Sequence, residues 1–137
     1  ITWNVEAKLV EPINRVGTVD VYQVNHHGLD VSNNPVLVKS VAPTVSIMNN
    51  GSTKGCGPQT FATLKSTKSI QAMYQVHKNL RKDGDKNNAP EEYIANITDA
   101  KDRQVYTLKL SVKGDGKSYT VSNPRNGHKR TFKTRQH

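Results

Sequence analysis

Apolar and polar side chains alternate from Tyr106 through Leu108 and Leu110 to Val112, and the alternation resumes at Tyr119 and Val121. Lys113-Gly114-Asp115-Gly116 lies between the two runs and supplies turn chemistry, so the stretch predicts a β-hairpin. Earlier in the chain the pattern changes period. Val19-Asp20-Val21-Tyr22-Gln23-Val24 is rich in β-branched and aromatic residues and predicts a strand, with Val19, Val21 and Gln23 on one face, ending where Asn25-His26-His27-Gly28 must turn. Asn33 or Asn34 can cap a helix that Pro35 opens, with an apolar face of Val36, Leu37, Val38, Val41 and Ala42 and a stop at Pro43. Thr44–Met48 predicts a second strand, Asn49–Gly57 a glycine-rich loop, Pro58 the opening of a second helix carrying Phe61, Ala62 and Leu64, and Ile70–His77 a third strand. Strand, helix, strand, helix, strand over residues 19–77 argues for an α/β layer.

The remaining segments carry weaker patterns. Residues 1–10 suggest a strand entering a loop, with Trp3 in the core. Arg81–Pro90 is polar and reads as a loop or mobile flap, and Tyr93–Ile97 is a short apolar stretch of open type. The expected division is residues 1–80 as one unit and 81–137 as an extension with the hairpin and a basic tail, in the same domain or closely packed on it.

Composition adds bounds. A chain of 137 residues suits one domain, and no apolar run approaches the ~20 residues that span a bilayer. One cysteine, Cys56, excludes an internal disulfide framework. The chain begins at Ile1 with no charged-then-apolar leader, so the natural start is expected to lie elsewhere and compartment is not legible. Net charge is +9, and Arg125, Lys129, Arg130, Lys133 and Arg135 crowd the last segment without an acid. A solvated basic tail is the plain reading. A non-catalytic nucleic-acid-binding module is the alternative, weakened because only Phe132 is interleaved among the charges.

Of five histidines only His26 and His27 are adjacent, just past a predicted strand and before a glycine. Loops beyond the carboxyl ends of strands are where open α/β proteins place functional groups. An imidazole there can ligate a metal, and Gly28 would allow a tight turn and keep bulk from the ion. A pair of solvated or hydrogen-bonded side chains is the plainer alternative. Asp30 could orient an imidazole from behind or serve a loop or cap. Asn49-Asn50-Gly51 suggests a turn needing positive φ, His77 reads as structural, and Cys56 as a small residue or a substitute thiolate ligand.

The run Val19–Asp30 with its His26-His27-Gly28 turn, a helix, then Ala42-Pro43-Thr44-Val45-Ser46-Ile47-Met48-Asn49-Asn50-Gly51, then Pro58 and another helix, resembles the last third of metallo-β-lactamase-superfamily hydrolases. The likeness is to the branch related to the competence protein ComEC, in a bacterial subgroup, and extends through Tyr93-Ile94-Ala95-Asn96 to the closing hairpin. Ile1-Thr2-Trp3-Asn4 fits the strand after that family's metal-bridging aspartate. The resemblance implies α/β architecture: the second half of an αββα metallo-β-lactamase-type sandwich with a C-terminal β-hairpin. It implies a one- or two-metal site, zinc or else manganese or iron, with one of His26 and His27 as the last ligand, Asp30 and Asn49 as candidates to support the ligands from behind, and the Asn49–Gly51 run facing the cleft where it could meet substrate. A metal-bound hydroxide would attack an ester, phosphoester or amide. The family's His-x-His-x-Asp-His motif is absent from these residues, as is a histidine in Gly51–Gly57. A catalytic zinc normally takes three protein ligands, so the chain alone is expected to be inactive and to need an amino-terminal half carrying the other ligands for the metal.

Overall fold

The computed structural model describes residues 1–99 and 104–135. Three layers build it. The central layer is a four-stranded parallel sheet in the order β1 (Val21–Gln23), β2 (Val45–Met48), β3 (Ala72–His77) and β4 (Ile94–Asn96). Helices α2 (Pro35–Val41) and α3 (Pro58–Ser66) form the crossovers and pack on one face. The other face is covered by a three-stranded antiparallel sheet, β5 (Lys109–Val112), β6 (Ser118–Asn123) and β7 (His128–Lys133).

The parallel strands β2, β3 and β4 are largely buried, β1 at the edge less so, and alternation assigns each side chain to a layer. Tyr22, Val24, Met48 and Met73 point to the helices and meet Val38, Phe61 and Leu64. Val21, Val45, Ile47, Ala72 and Tyr74 point the other way and meet Tyr119, Val121 and Phe132. Asn34 caps α2, its side chain accepting from Val36 N at 2.9 Å, and Pro35 takes the first helical position. Ala42 then closes the helix in a left-handed conformation before Pro43.

Several expectations are corrected. Trp3–Lys8 is a helix, α1, and not a strand; its inward residue is Glu6, a charge that hides the helical period. Trp3 is only half-buried, its indole donating to Ser32 O at 2.8 Å. The basic segment is no tail: it forms β7, paired with β6 along its length. Asn49, Asn50 and Gly51 have no positive φ, because the buried Asn50 side chain braces the loop by donating to His77 O at 2.7 Å. Arg81–Pro90 is a loop held in place: Arg81 donates to Gly55 O and Cys56 O, and Asn88 to Asn79 O and Gly84 O. The apolar stretch after Tyr93 supplies β4, which pairs with β3 and places a piece of the 81–137 segment in the central layer. No helix among the described residues is long and apolar enough to cross a membrane.

Candidate functional site

His26 and His27 stand at the carboxyl end of β1, at the kink of a turn over Asn25–Gly28. Both take left-handed backbone angles, φ 50° and 58°, a region that costs non-glycine residues about 1–2 kcal/mol each. The turn persists because its surroundings fix it. Leu29 N donates to His26 O at 3.0 Å, Cys56 N to His27 O at 3.0 Å and Gly57 N to Gly28 O at 2.7 Å. Gly28 makes the tight turn its position suggested, at φ +79°, and it is buried: a Cβ there would come within 2.6 Å of Met48 Sδ and 3.1 Å of Cys56 N, so a side chain would disturb packing against β2 and the Gly55–Gly57 segment rather than fill room for an ion.

Both imidazoles are exposed and line an open cleft of about 380 Å³ with Gln23, Val24, Asn25 and Asn49. Their centroids are 6.3 Å apart and the rings are tilted by 50°. His27 Nδ1 lies 2.7 Å from Asn49 O. A carbonyl only accepts, so Nδ1 carries the proton, and in the neutral ring Nε2 keeps its lone pair for another partner. Asn49 thus takes part through its backbone at the end of β2, not through its side chain.

Asp30 does not meet either ring. Its Oδ1 accepts from Thr60 N at 2.9 Å, in the first turn of α3, where a carboxylate complements the helix dipole. Asp20 sits at the opposite, amino end of β1, with Oδ1 accepting from Arg135 N at 3.0 Å. His77 ends β3, its backbone bonded to Asn50, and lies outside the cleft. Cys56 is fully buried, and its thiol meets Asn87 O at 2.9 Å. Burial pushes its pKa up to about 12, with Arg81 opposing, so it stays a neutral thiol and supplies no thiolate.

Glu6 was not visible in the sequence as part of this arrangement. Its fully buried carboxylate accepts from Asn25 Nδ2 at 2.8 Å, Asn33 N at 3.0 Å and Asn34 N at 2.6 Å. One acid thereby ties α1 to the residue preceding His26 and to the start of α2. No spacing rule flags it; the sole hint is an acid among the apolar residues of 1–10.

The donor set bears on a metal as follows. Two neutral imidazoles are the right class of donor for zinc, and His27 has the Nδ1–H to carbonyl bond usual behind a metal-ligating histidine. Yet among the described residues no three of His, Cys, Asp and Glu come together. The residues present do not complete a metal site by themselves. The chain matches no family model, no curated protein and no solved structure.

Proposed function

We propose that this chain contributes His27 as a metal ligand to a hydrolase site of the metallo-β-lactamase type, with the remaining donors on polypeptide outside it. The observation that carries the reading is the His27 Nδ1–Asn49 O bond, which fixes the tautomer and leaves Nε2 its lone pair on a ring that lines an open cleft. Two features support it. The turn stands beyond the carboxyl ends of a parallel sheet, the usual place for functional groups in such sheets. Its two consecutive left-handed histidines are strain held in place by neighbours, which is characteristic of functional positions. In this reading the helix-backed parallel sheet would be half of an αββα sandwich, with the antiparallel sheet in part of the facing layer.

Zinc, or manganese or iron, held by His27 together with donors from outside this chain, would supply Lewis acidity toward an ester, phosphoester or amide. The chain's own residues do the positioning. Glu6 holds Asn25, Asn49 holds the His27 ring, and His26 flanks the cleft as a second ligand or substrate contact.

A zinc titration followed through the histidine ring nitrogens by NMR tests this. Saturable change at His27 Nε2, lost in His27→Gln and kept in His128→Gln, is the expected result. Equal, non-saturating responses of His26, His27 and the remote His128 would sink it.

A further inference from the structure

The basic residues at the end of the chain divide by strand parity. Residues 104–135 hold eight Lys and Arg against one acid, Asp115, so this segment carries +7 of the chain's +9. The three arginines face the parallel sheet or its rim and are spent there. Arg125 donates to Ile94 O at 3.1 Å, Arg130 to Gln71 O at 3.3 Å, and Arg135 pairs with Asp20 at 3.5 Å. The lysines of the strands point the other way.

The cross-strand register gives that outer face in full. Lys109, Ser122 and Lys129 form one row; Ser111, Thr120 and Thr131 the next; Ser118 and Lys133 the last. Lys109, Ser111, Lys129, Thr131 and Lys133 are exposed, and the other three are half-buried. Lys109, Lys129 and Lys133 have no carboxylate within 4 Å among the described residues, and the segment's one acid, Asp115, bridges Lys113 at 2.9 Å in the hairpin turn. The face therefore presents ammonium and hydroxyl groups alone. Its sheet's aromatic residues, Tyr119 and Phe132, are buried on the opposite side.

We infer that the outer face of the antiparallel sheet is a docking surface for the phosphate backbone of double-stranded nucleic acid. Lysine and hydroxyl side chains are the common partners of phosphate oxygens, which fix position without reading sequence. The lack of an exposed aromatic on the face removes the stacking platform that single strands use, which favours a duplex. The lack of an apolar side chain on it gives a bilayer nothing to bury. The inference is independent of the histidine turn and stands whether or not that turn holds a metal.

The test measures fluorescence anisotropy of labelled 20-base-pair duplexes of two unrelated sequences. Both duplexes should bind alike, and three neutralised phosphates should weaken binding about 40-fold between 50 and 200 mM salt. Lys109→Gln/Lys129→Gln/Lys133→Gln should lose binding at least tenfold and flatten the salt dependence. The charge-matched control Lys39→Gln/Lys65→Gln/Lys68→Gln, on exposed positions of the helix layer, should stay within threefold of the parent chain. Circular dichroism verifies that both variants fold. The inference is overturned if the control loses as much as the sheet variant, if a single-stranded 20-mer binds more tightly than the duplex, or if anionic vesicles bind and the duplex does not.

Discussion

Glu6 shows how one side chain can hold a site it does not touch. Its carboxylate satisfies three donors in a fully buried position, with no cation among its bonded partners. Removing an acceptor leaves each buried donor with a desolvation penalty of about 1–3 kcal/mol. Glu6→Ala is thus expected to lower unfolding free energy in urea by about 3 kcal/mol and to broaden the His26 and His27 ring signals; Glu6→Gln, which keeps one acceptor oxygen, should recover part of both. Unchanged histidine signals in the alanine variant would separate Glu6 from the turn. Cys56 makes a different prediction. With a thiol held at about 12 by burial, the native protein should react with an aromatic disulfide reagent only as fast as it unfolds, whereas the denatured chain should react at once. Asp83 supplies the acid-side prediction. The Arg81 guanidinium, then the Asn87 amide, hydrogen-bond its carboxylate and hold it near 2. A depressed carboxyl contributes stability that is present above its ordinary value of 3.8 and lost as pH falls through about 2. The Asp83 side-chain carbonyl carbon should therefore titrate near 2 in NMR, and a midpoint near 4 would mean that the Arg81 clamp is not formed in solution.

At the scale of elements, sequence pattern was readable where one face is apolar and a cap marks the end. The stretch from Val21 to His77 follows from alternation, Asn34 and the two helix-opening prolines. It fails where polar groups face inward. In α1 the buried position belongs to Glu6, so no apolar stripe survives. In β7 the inward residues are His128, Arg130 and Phe132, and only the last is apolar, so the strand reads as a charge run. A local signal was nonetheless there: Asn126-Gly127, with Gly127 at φ +74°, is the dipeptide that closes hairpins. The His26-His27 turn was legible as a site because it follows a strand; its left-handed geometry and the Asn49 carbonyl were not, since both depend on contacts with β2 and the Gly55–Gly57 segment. Asp30 belongs to this scale too. As the partner of Thr60 N it caps α3, so Asp30→Ala should cost about 1 kcal/mol of stability while leaving the zinc response of His27 intact. A lost zinc response with little change in stability would instead return Asp30 to the metal reading.

For the whole molecule, the question is whether the antiparallel sheet folds as an annex or as a layer of the same core. Tyr119 and Phe132 stack at 5.4 Å and bury against Val45, Ala72 and Tyr74 of the parallel sheet. Polar ties cross the same boundary: Tyr119 donates to Asp20 O at 3.2 Å, Asn123 to Ile94 O at 2.9 Å, and Arg135 reaches Asp20. A sheet face of β-branched and aromatic residues left open by losing that cover would expose the inner strands to water on one side. The layers should therefore unfold together. Phe132→Ala removes a side chain that is 5% exposed, a change that costs about 3–5 kcal/mol in cores, against a typical total of about 5–15 kcal/mol for a domain. The chain's one tryptophan, Trp3, sits in α1, outside the antiparallel sheet. In Phe132→Ala the Trp3 fluorescence transition and the far-ultraviolet dichroism transition should move to lower urea by the same amount. If the Trp3 transition stays where it is while the dichroism changes, the antiparallel sheet is a separate folding unit, and its inward-facing arginines do not couple it to the layer that carries the histidine turn.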